Sequence, residues 1–333
     1  MEIRKLKKEE HLKTRALYEE VFNEDSKGFV DYYFSEKTKD NVIYVVEDEG
    51  EIQAMLHLNP YTVMVNGVEK KAHYIVAVAT RKEYRGRGFM ASLLKRALND
   101  MYVDGENFTF LMPAAEAIYA PYDFRTVYEQ KISYYDSDKC EADEKLKVRA
   151  LQDEDCDVLA AWAEDTLAKS MDVYVKRDGD YYRRWIKECR SDGGKLMLLE
   201  NENGISDFRV WFPGENEEGA KIMTRILDVR RMLMSLRLRE LLCVCFRVTD
   251  PIIEDNNRCL VLTGTENSGS MLMDGKMENA EGEITIGALT SLVFGAKNVD
   301  EICKEEGVHM TERMKEEMKK IIPLSKIYLN EVV

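Results

Sequence analysis

The chain has 333 residues, 45% of them apolar, and its 48 Lys and Arg against 62 Asp and Glu leave a net charge of −14. That length suits two or three domains with packed cores, and that charge argues against a non-specific nucleic-acid binder; it would attract cationic small molecules, though such a charge more often serves only solubility. Six prolines and no low-complexity tract argue against long disordered linkers. The start, MEIRKLKKEEH, carries no apolar signal region, and no apolar run approaches the length of a membrane span. The seven cysteines (Cys140, Cys156, Cys189, Cys243, Cys245, Cys259 and Cys303) are odd in number and scattered, with no C-x-x-C pair and no neighbouring His. This usage predicts free thiols, no metal and a reducing, cytoplasmic setting. Cys243 and Cys245 share one face of an expected strand and read as core packing.

Ile3 and Leu6 open the chain as a short strand or lead-in. A helix is expected over Glu9–Phe22, with Leu12, Leu17, Val21 and Phe22 on its apolar side. A second, shorter helix holds Phe29, Val30, Tyr32, Tyr33 and Phe34, an aromatic cluster that reads first as core and second as a pocket wall. Strands follow at Val42–Val46, Ile52–Leu58 and Thr62–Val65. Asn66-Gly67 then supplies a strong hairpin signal. The next strand runs through His73, Tyr74 and the apolar Ile75–Ala79. It meets a basic, glycine-broken turn, Arg85-Gly86-Arg87-Gly88. The helix after that turn places Phe89, Met90, Leu93, Leu94, Ala97, Leu98, Met101 and Tyr102 on one face. Phe108–Met112 reads as a strand, Pro113 ends it, and Ala114–Tyr119 makes one or two helical turns.

From about residue 146 the pattern starts again. Leu146–Val148 is strand-like, and Asp153–Leu167 is a helix with Val158, Leu159, Trp162 and Leu167 on its apolar side. Tyr181-Tyr182-Arg183-Arg184-Trp185 leads into another helix, and Leu196–Leu199 and Asp207–Phe212 read as strands. The acidic loop Gly214–Gly219 closes this block. Lys221–Asp228 opens a third, with a helix over Val229–Leu236, strands at Leu241–Thr249, Cys259–Gly264 and Glu283–Gly287, and a helix over Ala288–Phe294. Leu242, Val244, Phe246 and Val248 alternate as in a half-buried sheet. Short helices carry Ile302, then Met314, Met318, Ile321 and Ile322. The final Leu329-Asn330-Glu331-Val332-Val333 is mostly apolar, which predicts a docked tail.

A strand, a glycine-rich basic turn and a helix make an anion site. The glycines allow close backbone approach, and the first helical amides are free to meet phosphate oxygens. The turn lacks the Lys-Ser/Thr ending of a P-loop and the third glycine of a dinucleotide fold. The same spacing also occurs in turns that bind nothing. Glu83-Tyr84-Arg85-Gly86-Arg87-Gly88, followed by an amphipathic helix, resembles the acetyl-CoA motif of the GNAT N-acetyltransferases, whose usual form is Gln/Arg-x-x-Gly-x-Gly/Ala. The acidic first residue is a departure. Ile118-Tyr119-Ala120-Pro121-Tyr122-Asp123-Phe124 narrows the resemblance to the Eis-like acetyltransferases, with Asp123 where that family usually carries glycine.

The resemblance implies a mixed α/β and α+β architecture. Two GNAT-type mixed-sheet domains, catalytic (1–143) and degenerate (144–220), are followed by a sterol-carrier-like α+β domain (221–333). It implies acetyl-CoA as co-substrate and direct transfer to an amine. The binding residues are then Val78, Ala79 and Thr80 for the thioester, and Arg85, Gly86, Arg87, Gly88, Phe89, Met90 and Ala91 for the pyrophosphate. Tyr119 takes the place of the general acid. The carboxylate of the last residue, Val333, takes that of the base, ahead of His73 and Glu116. The implied acceptors are aminoglycosides, polyamines or lysine side chains, and the implied assembly is a homo-oligomer, a hexamer of two trimers, with no nucleic-acid or membrane partner. Three other readings stay open: a CoA-binding module without turnover, a lipid carrier based on the third domain, and a tandem-GNAT transferase using another acyl donor.

Overall fold

The structure, a computed structural model, describes residues 2–136, 146–213 and 219–331. β1 (Glu2–Lys5) is followed by a 3₁₀ stretch at Lys8–Thr14, then α1 (Arg15–Val21) and α2 (Lys27–Ser35). The expected first helix is therefore two pieces. Leu12, placed on its apolar side by spacing, is 62% exposed, and His11 and Thr14 are buried instead. Next come β2 (Val42–Asp48), β3 (Glu51–Val65), β4 (Val68–Thr80), α3 (Phe89–Val103), β5 (Phe108–Leu111), α4 (Glu116–Tyr119) and β6 (Arg125–Glu129).

β3 is one 15-residue strand where two were expected. Proline lacks the amide donor a ladder needs. Pro60 is accommodated because it sits between two partners on that edge. Val42–Asp48 pairs with β3 as far as Leu58, and Val173–Val175 pairs with it from Val63. The β3–β4 hairpin turns at Asn66 (φ +50°) and Gly67 (φ +82°), the left-handed pair that a tight hairpin requires.

The second block holds β7 (Lys147–Ala150), α5 (Cys156–Ser170), β8 (Val173–Val175), α6 (Gly179–Ser191), β9 (Lys195–Asn201) and β10 (Gly204–Trp211). β7, β9 and β10 form a small antiparallel sheet. Leu159 and Ala163 of α5 pack against Tyr182 and Ile186 of α6. Val158, expected on the apolar side, is 63% exposed.

The remainder runs through β11 (Lys221–Ile226), α7 (Val229–Leu233), β12 (Arg237–Leu238), β13 (Leu242–Thr249), β14 (Arg258–Thr265), β15 (Gly269–Asp274) and β16 (Gly282–Thr285). α8 (Ile286–Val293), α9 (Val299–Ile302), β17 (His309–Met310), α10 (Glu312–Met318), β18 (Ile321–Ile322) and β19 (Ile327–Tyr328) complete it. β15 carries no clear alternation and was not expected. Leu242, Val244, Phe246 and Val248 are buried, as their alternation predicts. Cys245 lies on the opposite face, covered, with its sulfur 3.5 Å from that of Cys259. Cys243 is exposed and is not core.

Two connections tie the blocks into one body. Lys221–Asp228, expected to open the third domain, contributes β11 to the first sheet, between β5 and β6. β8 of the second block pairs with β3, and β19 of the tail pairs with β8. The first sheet therefore has nine strands among the described residues, in the order β1-β2-β3-β4-β5-β11-β6 with β8 and β19 beside β3. α3 covers one face, and α1 and α2 cover the other. Phe108 and Phe110 of this sheet share a core with Phe246, Leu260 and Phe294 of the third domain. The first expected boundary, at 143–144, lies outside the described residues, as do Gly214–Glu218 of the acidic loop and the terminal Val333. No helix among the described residues is long and apolar enough to cross a membrane.

Candidate active site

The basic turn is held by its glycines. Gly86 has φ +76° and Gly88, the residue before α3, φ +79°, a region costly to residues with a Cβ. A Cβ built on either glycine meets nothing within 4 Å, so open space lies over both. Arg85 Nε donates to the Thr80 carbonyl at 3.1 Å, tying the turn to the end of β4. The Arg87 guanidinium lies over the Tyr84 ring at 4.7 Å. Phe89 is buried in the core under α3, while Arg85, Gly86, Arg87 and Gly88 are exposed and Met90 and Ala91 half-buried. Unpaired helix-start amides, two arginines and clear space fit the pyrophosphate of a coenzyme A.

β4 breaks its pairing just before this turn. Ala77 has φ +50°, unusual for a residue with a Cβ. The ladder with β3 shifts register there, between Met55↔Ala79 and His57↔Val76. On the other edge, β4 pairs with β5 only at Tyr74↔Phe110 and Ile75↔Leu111. Beyond Ile75 the two parallel strands separate. The edge of Val76–Val78 is thereby turned to a cleft, with Ala79 buried and Thr80 half-buried beyond it.

Across the cleft, Tyr119 ends α4. A 3₁₀ turn at Ala120–Tyr122 follows, and Asp123 takes the left-handed conformation (φ +64°, ψ +18°). Aspartate is among the few side chains that tolerate this region, so the turn keeps the shape that a glycine would allow. Phe124 is fully buried and meets the Tyr119 ring edge-on, with centroids 5.9 Å apart. Tyr119 is 8% exposed, and its hydroxyl has no hydrogen-bond partner among the described residues. Burial pushes its pKa up to about 12.

Tyr119 and the Tyr74–Val78 stretch line a cavity of about 850 Å³, within the range of small-molecule sites. Its far wall comes from α1, α2 and the turn between them (Tyr18, Phe22, Asp25, Phe29) and from the second block (Trp185, Glu188, Asp192, Asp207, Phe208). Four carboxylates line it, and no Lys or Arg is among the described lining residues. The Tyr18 hydroxyl donates to Asp25 at 2.7 Å, and the Tyr32 hydroxyl donates to Glu188 at 3.1 Å. Asp192 accepts from the Ser26 hydroxyl, and Asp207 pairs with Arg209 at 3.1 Å. Burial raises the Glu188 carboxyl, an effect that nearby Lys37 partly offsets. Of the expected aromatic cluster only Phe29 reaches the cavity; Val30, Tyr32 and Tyr33 are core. Nothing in the sequence marked Trp185, Glu188, Asp192 or Asp207 as lining residues. The only signal was the aromatic run at Tyr181–Trp185, on the helix that also carries Glu188.

The tail reaches this wall. Gln130, Tyr328 and Asn330 line the cavity. Asn330 accepts from the Tyr128 hydroxyl at 2.8 Å and donates to the Lys131 carbonyl at 2.8 Å. The tail is docked, as its composition predicts. His73 is elsewhere, buried, with Nδ1 2.6 Å from Glu106 Oε1. Glu116 is exposed on the surface and is held by Thr126 and by Lys221 at 3.1 Å. Neither residue lines the cavity.

Residues 2–127 match the family model for the acetyltransferase (GNAT) domain, and residues 229–330 match that for the sterol carrier protein domain. No curated protein matches the sequence. Among solved structures, a probable N-acyltransferase from Enterococcus faecalis is 14% identical with a TM-score of 0.78, covering 100% of this chain and 99% of that one. A GCN5-related N-acetyltransferase from Kribbella flavida (13%, TM-score 0.77) and Eis1 from Mycobacterium abscessus (12%, TM-score 0.72) each align over 100% of both chains. At these identities the structural likeness is one of fold, and it runs the whole length of the chain. The chain thus carries a GNAT acetyltransferase domain at its start and a sterol carrier protein domain at its end, and its architecture is similar over its whole length to that of an Eis protein.

Proposed function

We propose that the protein moves the acetyl group of acetyl-CoA to a primary amine of a cationic acceptor, of the class of polyamines, aminoglycosides or lysine side chains. The observation that carries this reading is the cavity, where Tyr119 and the splayed β4 edge share one space with Asp25, Glu188, Asp192 and Asp207. A carboxylate-lined wall attracts ammonium groups and repels anions. In this reading the Gly86–Ala91 turn and helix start hold the pyrophosphate, with Arg85 and Arg87 adding charge. An amide of Val78–Thr80 polarises the thioester carbonyl. Tyr119 protonates the leaving thiolate. A phenol that stays protonated across neutral pH and faces a thiol of pKa about 8.5 can serve as that acid. The amine loses its proton before attack, and the Val333 carboxylate takes it. The docked course of Ile327–Glu331 along the cavity wall supports that assignment.

The test is thiol release from acetyl-CoA with a panel of polyamines, aminoglycosides and a lysine-rich peptide, using protein unmodified at its C-terminus. Release with one of these classes and not with neutral amines is the expected result. CoA binding without release on any amine would replace the transfer reading with that of a binding module. Loss of release on removing Val333 alone, with CoA affinity intact, is expected of the terminal base; unchanged release would rule that base out.

A further inference from the structure

Arg177 lies between β8 and α6 with its side chain 1% exposed. Nη2 donates to Glu331 Oε1 at 2.8 Å and Nε to the same oxygen at 3.3 Å; the Tyr181 hydroxyl donates to it at 3.2 Å. The guanidinium is caged by three rings, Tyr328 at 4.9 Å, Tyr181 at 5.1 Å and Trp185 at 5.4 Å. Glu331 is itself buried, and the Gln130 side-chain amide donates to its carbonyl at 3.1 Å. Gln130, Trp185 and Tyr328 also line the cavity. Gln130, which bonds the tail, and Trp185, which stacks on its arginine, thus also face the cavity.

A buried ion pair adds little to net stability against an apolar replacement, but losing one partner strands a charge. Its value lies in specifying one arrangement. A guanidinium stacked on three rings and bonded to one carboxylate allows the tail a single register. We propose that Arg177 is a positioning residue for acetyl transfer. Through Glu331 and Tyr328 it holds Ile327–Glu331 as the fixed wall of the cavity, and so sets where the acceptor amine sits relative to Tyr119 and the β4 edge. This inference rests on the cavity being the acceptor site.

The test compares wild type with Arg177→Met, Glu331→Gln and the double variant, in the full chain. Readouts are kcat and KM for the best amine of the panel, CoA affinity by calorimetry, and hydrogen exchange of the Ile327–Glu331 amides. In Arg177→Met, kcat is expected to fall roughly 100-fold, the scale of an ångström-sized misplacement. CoA affinity and the exchange of β4 and α3 stay unchanged, while the tail amides exchange much faster. Glu331→Gln keeps the side-chain volume and serves if Arg177→Met does not fold; it shows the same pattern more weakly. The double variant leaves no stranded charge at this site and recovers tail protection and part of the turnover together. A folded single variant with wild-type turnover, or with unchanged tail exchange, would overturn the proposal, as would turnover still lost once protection is restored. A wild-type protein inactive on every amine would count against the acceptor reading, and the exchange readout would still decide the clamp.

Discussion

The rings of Tyr119 and Phe124 meet edge to face at 5.9 Å, and the residue before Phe124 bends the chain to make this possible. Asp123, at φ +64°, reverses the backbone so that Phe124 drops into the core under Tyr119. A left-handed non-glycine residue costs about 1 kcal/mol, and a β-branched one more. Asp123→Gly should therefore hold or slightly raise stability and preserve turnover. Asp123→Val should cost about 2 kcal/mol and lower kcat as Tyr119 shifts. Denaturant unfolding and steady-state kinetics check both, and a Val variant with wild-type values would show that this turn does not place Tyr119.

Tyr119→Phe keeps the packing against Phe124 and removes only the hydroxyl. Losing a general acid typically lowers the rate by about 10²-fold or more. The expected result is that loss in kcat with CoA affinity unchanged. The pH dependence follows from the pKa of about 12. The folded value is raised above the free phenol's, so the native state holds its proton more tightly. That stability is fully present below about pH 10 and is lost as pH rises toward 12. Alkaline unfolding should be shallower in Tyr119→Phe than in wild type. Equal activity of the two would make Tyr119 structural.

Arg85 and Arg87 are exposed, so removing them should leave the fold alone. Arg85→Ala with Arg87→Ala should weaken CoA binding by roughly 10-fold or more, since charge-assisted bonds to an anion are each worth about 1.5–3 kcal/mol at best. The wild-type affinity should fall with salt, and that of the variant should fall less. Gly88→Val tests the backbone side of the same site. It should cost stability through its φ of +79° and reduce CoA affinity further. Calorimetry at two ionic strengths decides these points, and affinities unaltered in both variants would contradict the pyrophosphate assignment.

Arg225 of β11 and Asp250, after β13, form a fully buried ion pair at 2.6 Å. Arg225 Nε also donates to the Tyr122 carbonyl at 2.8 Å, and so braces the turn after Tyr119. Asp250 accepts further bonds from the Ile252 and Ile253 amides and the Asn256 side chain. Asp250→Ala strands the guanidinium and should destabilise the protein by about 3–5 kcal/mol. A smaller loss, under about 1 kcal/mol by denaturant unfolding, would mean that Arg225 finds another partner.

Short-range features were legible in the sequence because neighbouring residues carry them. The Arg85–Gly88 turn, the buried face of α3, the Asn66-Gly67 hairpin and the short helix ending at Tyr119 each depend on backbone freedom or on a period of a few residues. Periodicity failed at Leu12 and Val158. There the side facing the core is chosen by what packs against it, and spacing alone does not say. Cys243 failed because the cover on its face of β13 reaches Cys245, which is buried, and stops short of Cys243.

Tertiary structure decided which strand edges meet. β11 lies between β5 and β6, and β8 and β19 attach to the first sheet, because open edges seek partners wherever the chain can bring them. That closure carries Glu188, Asp192 and Asp207 of the second block, and Tyr328 of the tail, to the cavity beside Tyr119. The sequence by itself determined a basic, glycine-broken turn resembling that of GNAT proteins, and a tyrosine beyond it. What faces that tyrosine was decided by contacts between segments up to about two hundred residues apart, such as Tyr128 with Asn330, which no local preference encodes.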